Sequence, residues 1–210
     1  SYETDFGEIT KKNDAVLFKH PNGNMVDECR LLNGKCWYYR HNFSAAMQNF
    51  NFVLNNYPES KTLADAYFYM AQSYYQMDNR VMAENVLLTN ILENDTIEVS
   101  DQTFGEIGLF MVRLQMEDEE YEKAAKTLTE RLEYIDKSRQ LRATFLLAQL
   151  QAQNGEFTKS LLNYQEVVKK ANNYDLAFRA KLNIAKLYLQ FQKESSDESE
   201  VSKYLTKLLK

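Results

Sequence analysis

Small and apolar positions recur along the chain with a period of about 36 to 41 residues. The first series, spaced by 37, 41, 36 and 37 residues, consists of Gly34, Ala71, Val112, Ala148 and Ala185. A second series with the same drift, always 12 residues later, consists of Ala46, Ala83, Ala124 and Ser160. Two series that drift together indicate one structural unit repeated along the chain. A period of this length is typical of stacked helical hairpins.

The spacing of larger apolar residues predicts helices around these small positions. Phe50, Leu87, Leu128 and Tyr164 each follow the second small position by four residues, which places both on one helix face. The chain has only 2 Pro and 6 Gly, so few residues interrupt long helices. Because one hairpin leaves an apolar side uncovered, neighbouring hairpins must stack. The sequence therefore predicts an all-α solenoid.

Turn residues divide the chain into predicted elements. Pro58 ends the first hairpin, since proline cannot continue a helix, and Asn154-Gly155 links two helices of the fourth hairpin. We expect an N-terminal capping helix over 1–20 and a solenoid over 25–191. Its predicted parts are hairpins over 25–58, 63–92, 102–136 and 138–171 and a leading helix over 174–191. The C-terminal helix segment is predicted over 196–210, with a polar loop at 195–200 leading into helical residues Val201 to Leu209, and we expect this segment to be truncated from a longer protein.

Composition limits the classes of partner. The net charge is -5, which disfavours nucleic acid because phosphate binding needs a concentrated basic surface. The sequence has no run of about 20 apolar residues that would cross a bilayer. Cys29 and Cys36 would lie two turns apart on one helix, too far for a disulfide, so we expect two buried thiols.

The sequence contains no motif that predicts catalysis. His20 and His41, the only histidines, have no Cys, His or Asp neighbour at metal-ligand spacing. Phosphate-binding glycine loops and the serine nucleophile turn are also missing. The acidic run 117–120 fits a helix N-terminus better than a calcium loop. We therefore expect no enzyme activity, no cofactor and no metal.

The first hairpin resembles the tetratricopeptide repeat (TPR), a helix-turn-helix unit of about 34 residues. The resemblance rests on Gly34, Ala46, Phe50 and Pro58, which have that motif's spacings of 12, 4 and 8 residues, and it extends over about 25–190. It implies a right-handed α-solenoid of TPR-like hairpins. Val112 and Gln115 depart from the motif at its small and aromatic positions, so we expect less regular packing in the third repeat.

A narrower resemblance involves the segments 26–35, 43–57, 174–185 and 203–210. They are similar to the TPR lipoproteins of Bacteroidetes that serve gliding motility and type IX protein secretion. The resemblance implies a lipid-anchored protein on the periplasmic side of the outer membrane and a role in an envelope complex. The resemblance also implies a targeting segment, which we expect to lie outside this chain.

In this repeat family the leading helices line a groove that binds proteins or peptides. Counting by register predicts these groove residues: Glu28, Leu31, Lys35, Tyr38, Asp65, Phe68, Gln72, Tyr75, Arg113, Arg142, Phe145, Arg179 and Lys186. Acidic positions come early and basic positions late, so an extended peptide with oppositely charged ends would fit. Three alternatives remain: a module that binds cell-wall glycans, a TPR adaptor of another outer-membrane complex, and an enzyme of an unfamiliar type.

Overall fold

The computed structural model describes residues 2–194, with side chains described for 5–190, and all regular structure in this range is helical. The α-helices are α1 (Tyr2–Lys19), α2 (Val26–Tyr39), α3 (Phe43–Asn56), α4 (Leu63–Gln76), α5 (Arg80–Leu87), α6 (Asp101–Glu117), α7 (Tyr121–Arg131), α8 (Lys137–Gln153), α9 (Phe157–Lys170) and α10 (Tyr174–Glu194). We call α2, α4, α6, α8 and α10 the leading helices, and α3, α5, α7 and α9 the trailing helices. The predicted all-α class of helical hairpins is confirmed.

Two trailing helices, α5 with 8 residues and α7 with 11, continue into turns that are not α-helical. After α5 the chain forms a π-helical turn over Leu88–Leu92, and after α7 a 3-10 turn over Leu132–Tyr134. These non-α turns lie in the second and third hairpins. The predicted loop at 195–200 and the predicted helix over 196–210 lie outside the described residues.

The repeated small positions lie where the helices of a hairpin touch. Ala46, Ala83, Ala124 and Ser160 are all fully buried, and the larger residues four positions later are buried with them. In the first hairpin the closest approach is at Gly34, where an added Cβ would lie 2.3 Å from Cε1 of Phe50. Only a residue without a side chain leaves room for that ring, which fixes the packing of α2 against α3.

Each leading helix before α10 ends in the same turn. One residue per turn has a positive φ, and these residues again follow the repeat: His41 (58°), Asp78 (61°), Glu119 (59°) and Gly155 (76°). The next amide donates to a carbonyl five residues back, as from Asn42 to Trp37 and from Glu156 to Gln151. This is the Schellman pattern, which satisfies carbonyls at a helix C-terminus. Three of the four turns form without the glycine that usually occupies this position.

The chain divides into two compact units, with the division after Thr103, inside α6. In the first unit α1 packs on α2, α2 on α3, α3 on α4 and α4 on α5. The second unit contains one core around Val112, Leu128 and Leu147, and another that includes Ala148, Tyr164 and Ile184.

In the third hairpin the buried Val112 occupies the position that holds a small residue in the other hairpins. The close approaches in this hairpin are at two glycines of α6. An added Cβ at Gly105 would lie 2.3 Å from the carbonyl oxygen of Tyr134, and one at Gly108 would lie 2.5 Å from Cγ of Arg131. The guanidinium of Arg131 lies 3.3 Å from the ring centroid of Phe104. Among the described helices, none combines the length and the apolar composition that a bilayer span requires.

Candidate protein-binding surface

Polar side chains connect neighbouring helices in the first unit. Nζ of Lys35 on α2 lies 2.5 Å from Oδ2 of Asp65 on α4. The hydroxyl of Thr103 donates a hydrogen bond to the other carboxylate oxygen of Asp65. Nearer the N-terminus, Asn33 on α2 accepts a hydrogen bond from Asn13 and donates one to Asp14, both on α1. Because all of these groups except the exposed Asp14 are half-buried or buried, their contacts hold the side chains of this face in defined positions.

An aromatic cluster lies at the C-terminal end of α2. Tyr39 stacks on Phe6 of α1 with 5.6 Å between ring centroids, and its hydroxyl lies 3.1 Å from the hydroxyl of Tyr69 on α4. Tyr38 contacts the edges of Tyr69 and Tyr39 and packs against Phe43. The cluster thus joins four helices, and Tyr39 leaves about half of its surface exposed.

The structure corrects two of the predicted groove positions in the first unit. Leu31 and Phe68 are only 7% and 2% exposed, so they belong to the core and a ligand cannot reach them. The reason is that α2 and α4 are covered by helices on more than one side, which widens their buried face. Glu28 is exposed, and the half-buried predicted residues are Lys35, Tyr38, Asp65, Gln72 and Tyr75.

In the second unit most of the predicted positions are accessible. Phe145 is half-buried, with its ring centroid 5.4 Å from that of Tyr164 in an edge-on contact. The exposed predicted residues are Arg113, Arg142, Arg179 and Lys186. Whether any of them contacts a partner stays a prediction.

Several charges that were assigned to a ligand are paired within the protein. Of the predicted groove charges, Asp65 is bound to Lys35, and Nε of Arg179 lies 2.9 Å from Asp175. Glu106, which is not in the predicted set of groove residues, is bound to Arg139 of the next leading helix. These pairs reduce the charge gradient that the sequence suggests. The Lys35–Asp65 and Glu106–Arg139 pairs connect residues 30 and 33 positions apart, so opposite charges about one repeat apart were the signal that sequence reasoning missed.

The two cysteines lie in surroundings that keep them unreactive. Cys29 and Cys36 are free and buried. Burial raises the pKa of both thiols, and the carboxylates of Glu28 and Asp27 raise that of Cys29 further, so both stay protonated at neutral pH. Within the described range no group of three or more His, Cys, Asp or Glu side chains could hold a metal ion.

Comparison with known proteins places the chain by fold. No protein-family model matches it, and neither does any curated protein sequence. The C-terminal part of a TPR repeat-containing protein from Cytophaga hutchinsonii superposes with a TM-score of 0.65 at 15% identity, covering 98% of this chain and 73% of that chain. A crystal structure of MamA gives a TM-score of 0.55 at 16% identity, covering 84% of this chain and 92% of that chain. Another MamA structure gives 0.52 at 20% identity, covering 80% and 83%.

The hairpin register and these likenesses define an α-solenoid of TPR-like helical hairpins. Sequence identities of 15 to 20% support the fold alone, and the function must be argued from the surface of this chain.

Proposed function

We propose that this chain is a non-catalytic protein-interaction module that presents the accessible faces of its leading helices to a protein or peptide. The observation that carries the proposal is the fixed arrangement of half-buried side chains between α2 and α4. Lys35 is held by Asp65, and Tyr39 by Phe6 and Tyr69. Side chains that are ordered before binding lose less entropy when a partner docks.

The proposed setting is an envelope complex on the periplasmic side of the outer membrane, in gliding motility or type IX secretion, with a lipid anchor outside this chain. This part rests on the resemblance of the four short segments to Bacteroidetes TPR lipoproteins. Fractionation of cells that carry the full-length gene product tests the location. Recovery in the cytoplasmic fraction would contradict it.

Charge reversal tests the interaction surface. Arg142, Arg179 and Lys186 are exposed on leading helices, so changing all three to Glu leaves helix content unchanged. We expect weaker capture of partners that are identified by cross-linking in cells with the wild-type chain. The matched control reverses three exposed lysines on trailing helices, Lys126, Lys159 and Lys169. Equal capture by both triple variants would contradict the proposed faces.

A glycan-binding module is the second candidate, and the half-exposed aromatic cluster at Tyr39 favours it, since sugars stack on aromatic rings. Co-sedimentation with isolated peptidoglycan distinguishes the two functions. Binding that is lost in Tyr39→Ala would support the glycan module, whereas identified protein partners without glycan binding would support the interaction module. Partners from another outer-membrane machine would indicate an adaptor of that machine.

A further inference from the structure

The last described helix carries an apolar stripe on its outer side. On α10 the exposed fractions are 82% for Tyr174, 49% for Phe178, 46% for Leu182 and 46% for Leu189. At about 100° per residue these four side chains lie within an arc of about 80° and extend over about 22 Å. Tyr174 and Phe178 stack on each other at 6.0 Å.

The equivalent positions on α8, one repeat earlier in the same unit, show what packs against such a stripe. Counted 37 residues back, the positions of Phe178, Leu182 and Leu189 are Leu141, Phe145 and Ala152 on α8. Those three residues are half-buried against a core that α9 and α10 complete. The same positions on α8 therefore accept helices, and the geometry of the stripe on α10 suits a helix as its occupant.

The charges on α10 indicate which helix. From Tyr174 to Gln190 the helix has three basic residues, Arg179, Lys181 and Lys186, and one acidic residue, Asp175. Arg179 and Lys186 are exposed and lie along one edge of the apolar stripe, and the exposed Asp175 lies on the same edge, which therefore carries two basic groups and one acidic group. Arg179 pairs with Asp175 in a solvated contact, which a stronger acceptor can replace at little cost. An occupant with carboxylates along the matching edge would be complementary.

We propose that this face of α10 binds an amphipathic α-helix of a partner protein, with apolar residues three and four apart and Asp or Glu beside them. The inference rests on the proposed function as a protein-interaction module and names the chemistry of one partner segment. The apolar stripe supplies the contact area, and Arg179 and Lys186 set the orientation and reject basic helices.

Labelled peptides of about 18 residues, long enough as helices to follow the stripe, test the proposal. One peptide carries a Leu stripe with Glu on its flanks, the second has Lys in place of Glu, and the third is a scrambled form of the first. In fluorescence anisotropy with the full chain, we expect the Glu peptide to bind at least about fivefold more tightly than the Lys peptide. Added salt should reduce that difference.

The variant Phe178→Glu/Leu182→Glu should abolish binding of the Glu peptide. The control Leu162→Glu replaces a leucine on α9 that is 60% exposed, and it should bind as the wild type does. Equal affinity for the Glu and Lys peptides, or binding retained by the double variant, would overturn the proposal. So would a photo-cross-linker at Leu182 that reacts within its own chain with 195–210.

The two proposals fail separately. A partner cross-linked in cells from Gln72, which lies on α4 in the other unit, would sustain the interaction module even if the peptide did not bind to α10.

Discussion

Replacing Gly34 by alanine sets two effects of opposite sign against each other. Alanine favours a helix over glycine by about 1 kcal/mol. Against this, the new Cβ would lie 2.3, 2.7 and 2.9 Å from three ring atoms of Phe50, where an ordinary contact is about 3.5 to 4.0 Å. The ring is fully buried and must move by more than 1 Å, so the cost lies near the upper end of the usual 1–3 kcal/mol for overpacking, about 3 kcal/mol. We expect Gly34→Ala to lower the free energy of unfolding by about 2 kcal/mol.

Gly7 provides a matched control on a neighbouring helix. It lies in α1, and an added Cβ there meets no atom within 4 Å. Gly7→Ala therefore gains the helix propensity without the clash and should raise stability by about 0.5 to 1 kcal/mol. The two substitutions are chemically identical, so the difference of about 3 kcal/mol between them measures the contact with Phe50.

Urea unfolding followed by far-UV circular dichroism gives both values, and a double-mutant cycle identifies the cause. Phe50→Leu alone should cost about 1 to 2 kcal/mol through the cavity it leaves. In Gly34→Ala/Phe50→Leu the smaller side chain makes room for the methyl group. The double variant should therefore lose at least about 1 kcal/mol less unfolding free energy than the two single variants lose together. A Gly34→Ala protein as stable as the wild type, or a coupling energy of zero, would refute the packing of α2 on α3.

Three further variants test the turns and the core. Glu119→Gly should stabilise by about 1 kcal/mol because it relieves a positive φ, and Gly155→Ala should destabilise by a similar amount; opposite signs in thermal unfolding would contradict the turn geometry. Ser160→Ala should cost only about 1 kcal/mol, since it removes one hydrogen bond to the carbonyl of Ala148, whereas Ser160→Leu should cost more than about 2 kcal/mol in the same assay. Burial raises the pKa of Tyr164 from 10.0 to about 12, against the opposing effect of a hydrogen bond with Asn183. The folded state thus holds this proton more tightly than the unfolded state. The resulting stability is present below pH 10 and is lost as the pH rises to about 12, by about 2 to 3 kcal/mol. Tyr164→Phe should not show this loss. If the difference in unfolding free energy between wild type and Tyr164→Phe stays constant over this pH range, the raised pKa of Tyr164 is contradicted.

The hairpins could be predicted because few positions decide them. Ala46, Ala83, Ala124 and Ser160 lie where two helix backbones approach, and only small side chains fit there. Because this steric requirement applies to single positions, small residues recur along the chain at a spacing that the sequence reveals. The turns follow the same register, but His41, Asp78 and Glu119 carry side chains where glycine is usual, so their backbone conformation had no compositional signal.

The surface was less predictable, because a side chain's surroundings depend on several helices at once. Register placed Leu31 and Phe68 beside the groove, but both are buried. It also assigned Lys35 and Asp65 to a ligand, although they bind each other. Helical periodicity predicts which residues share a helix face. It does not predict how much of that face neighbouring helices bury.

The difference between the few residues that decide helix packing and the many on the surface explains how the fold persists at low sequence identity. The register needs a small residue at two positions per repeat and a large apolar one at a third, which leaves most residues of each hairpin free to change. The structure from Cytophaga hutchinsonii, at 15% identity with a TM-score of 0.65, is consistent with that freedom. Exposed residues such as Arg142 and Lys186 can vary without loss of packing, and the proposed interaction surface consists of such residues. Recognition can therefore change between such proteins while the hairpins remain, and a partner must be inferred from the exposed chemistry of each chain.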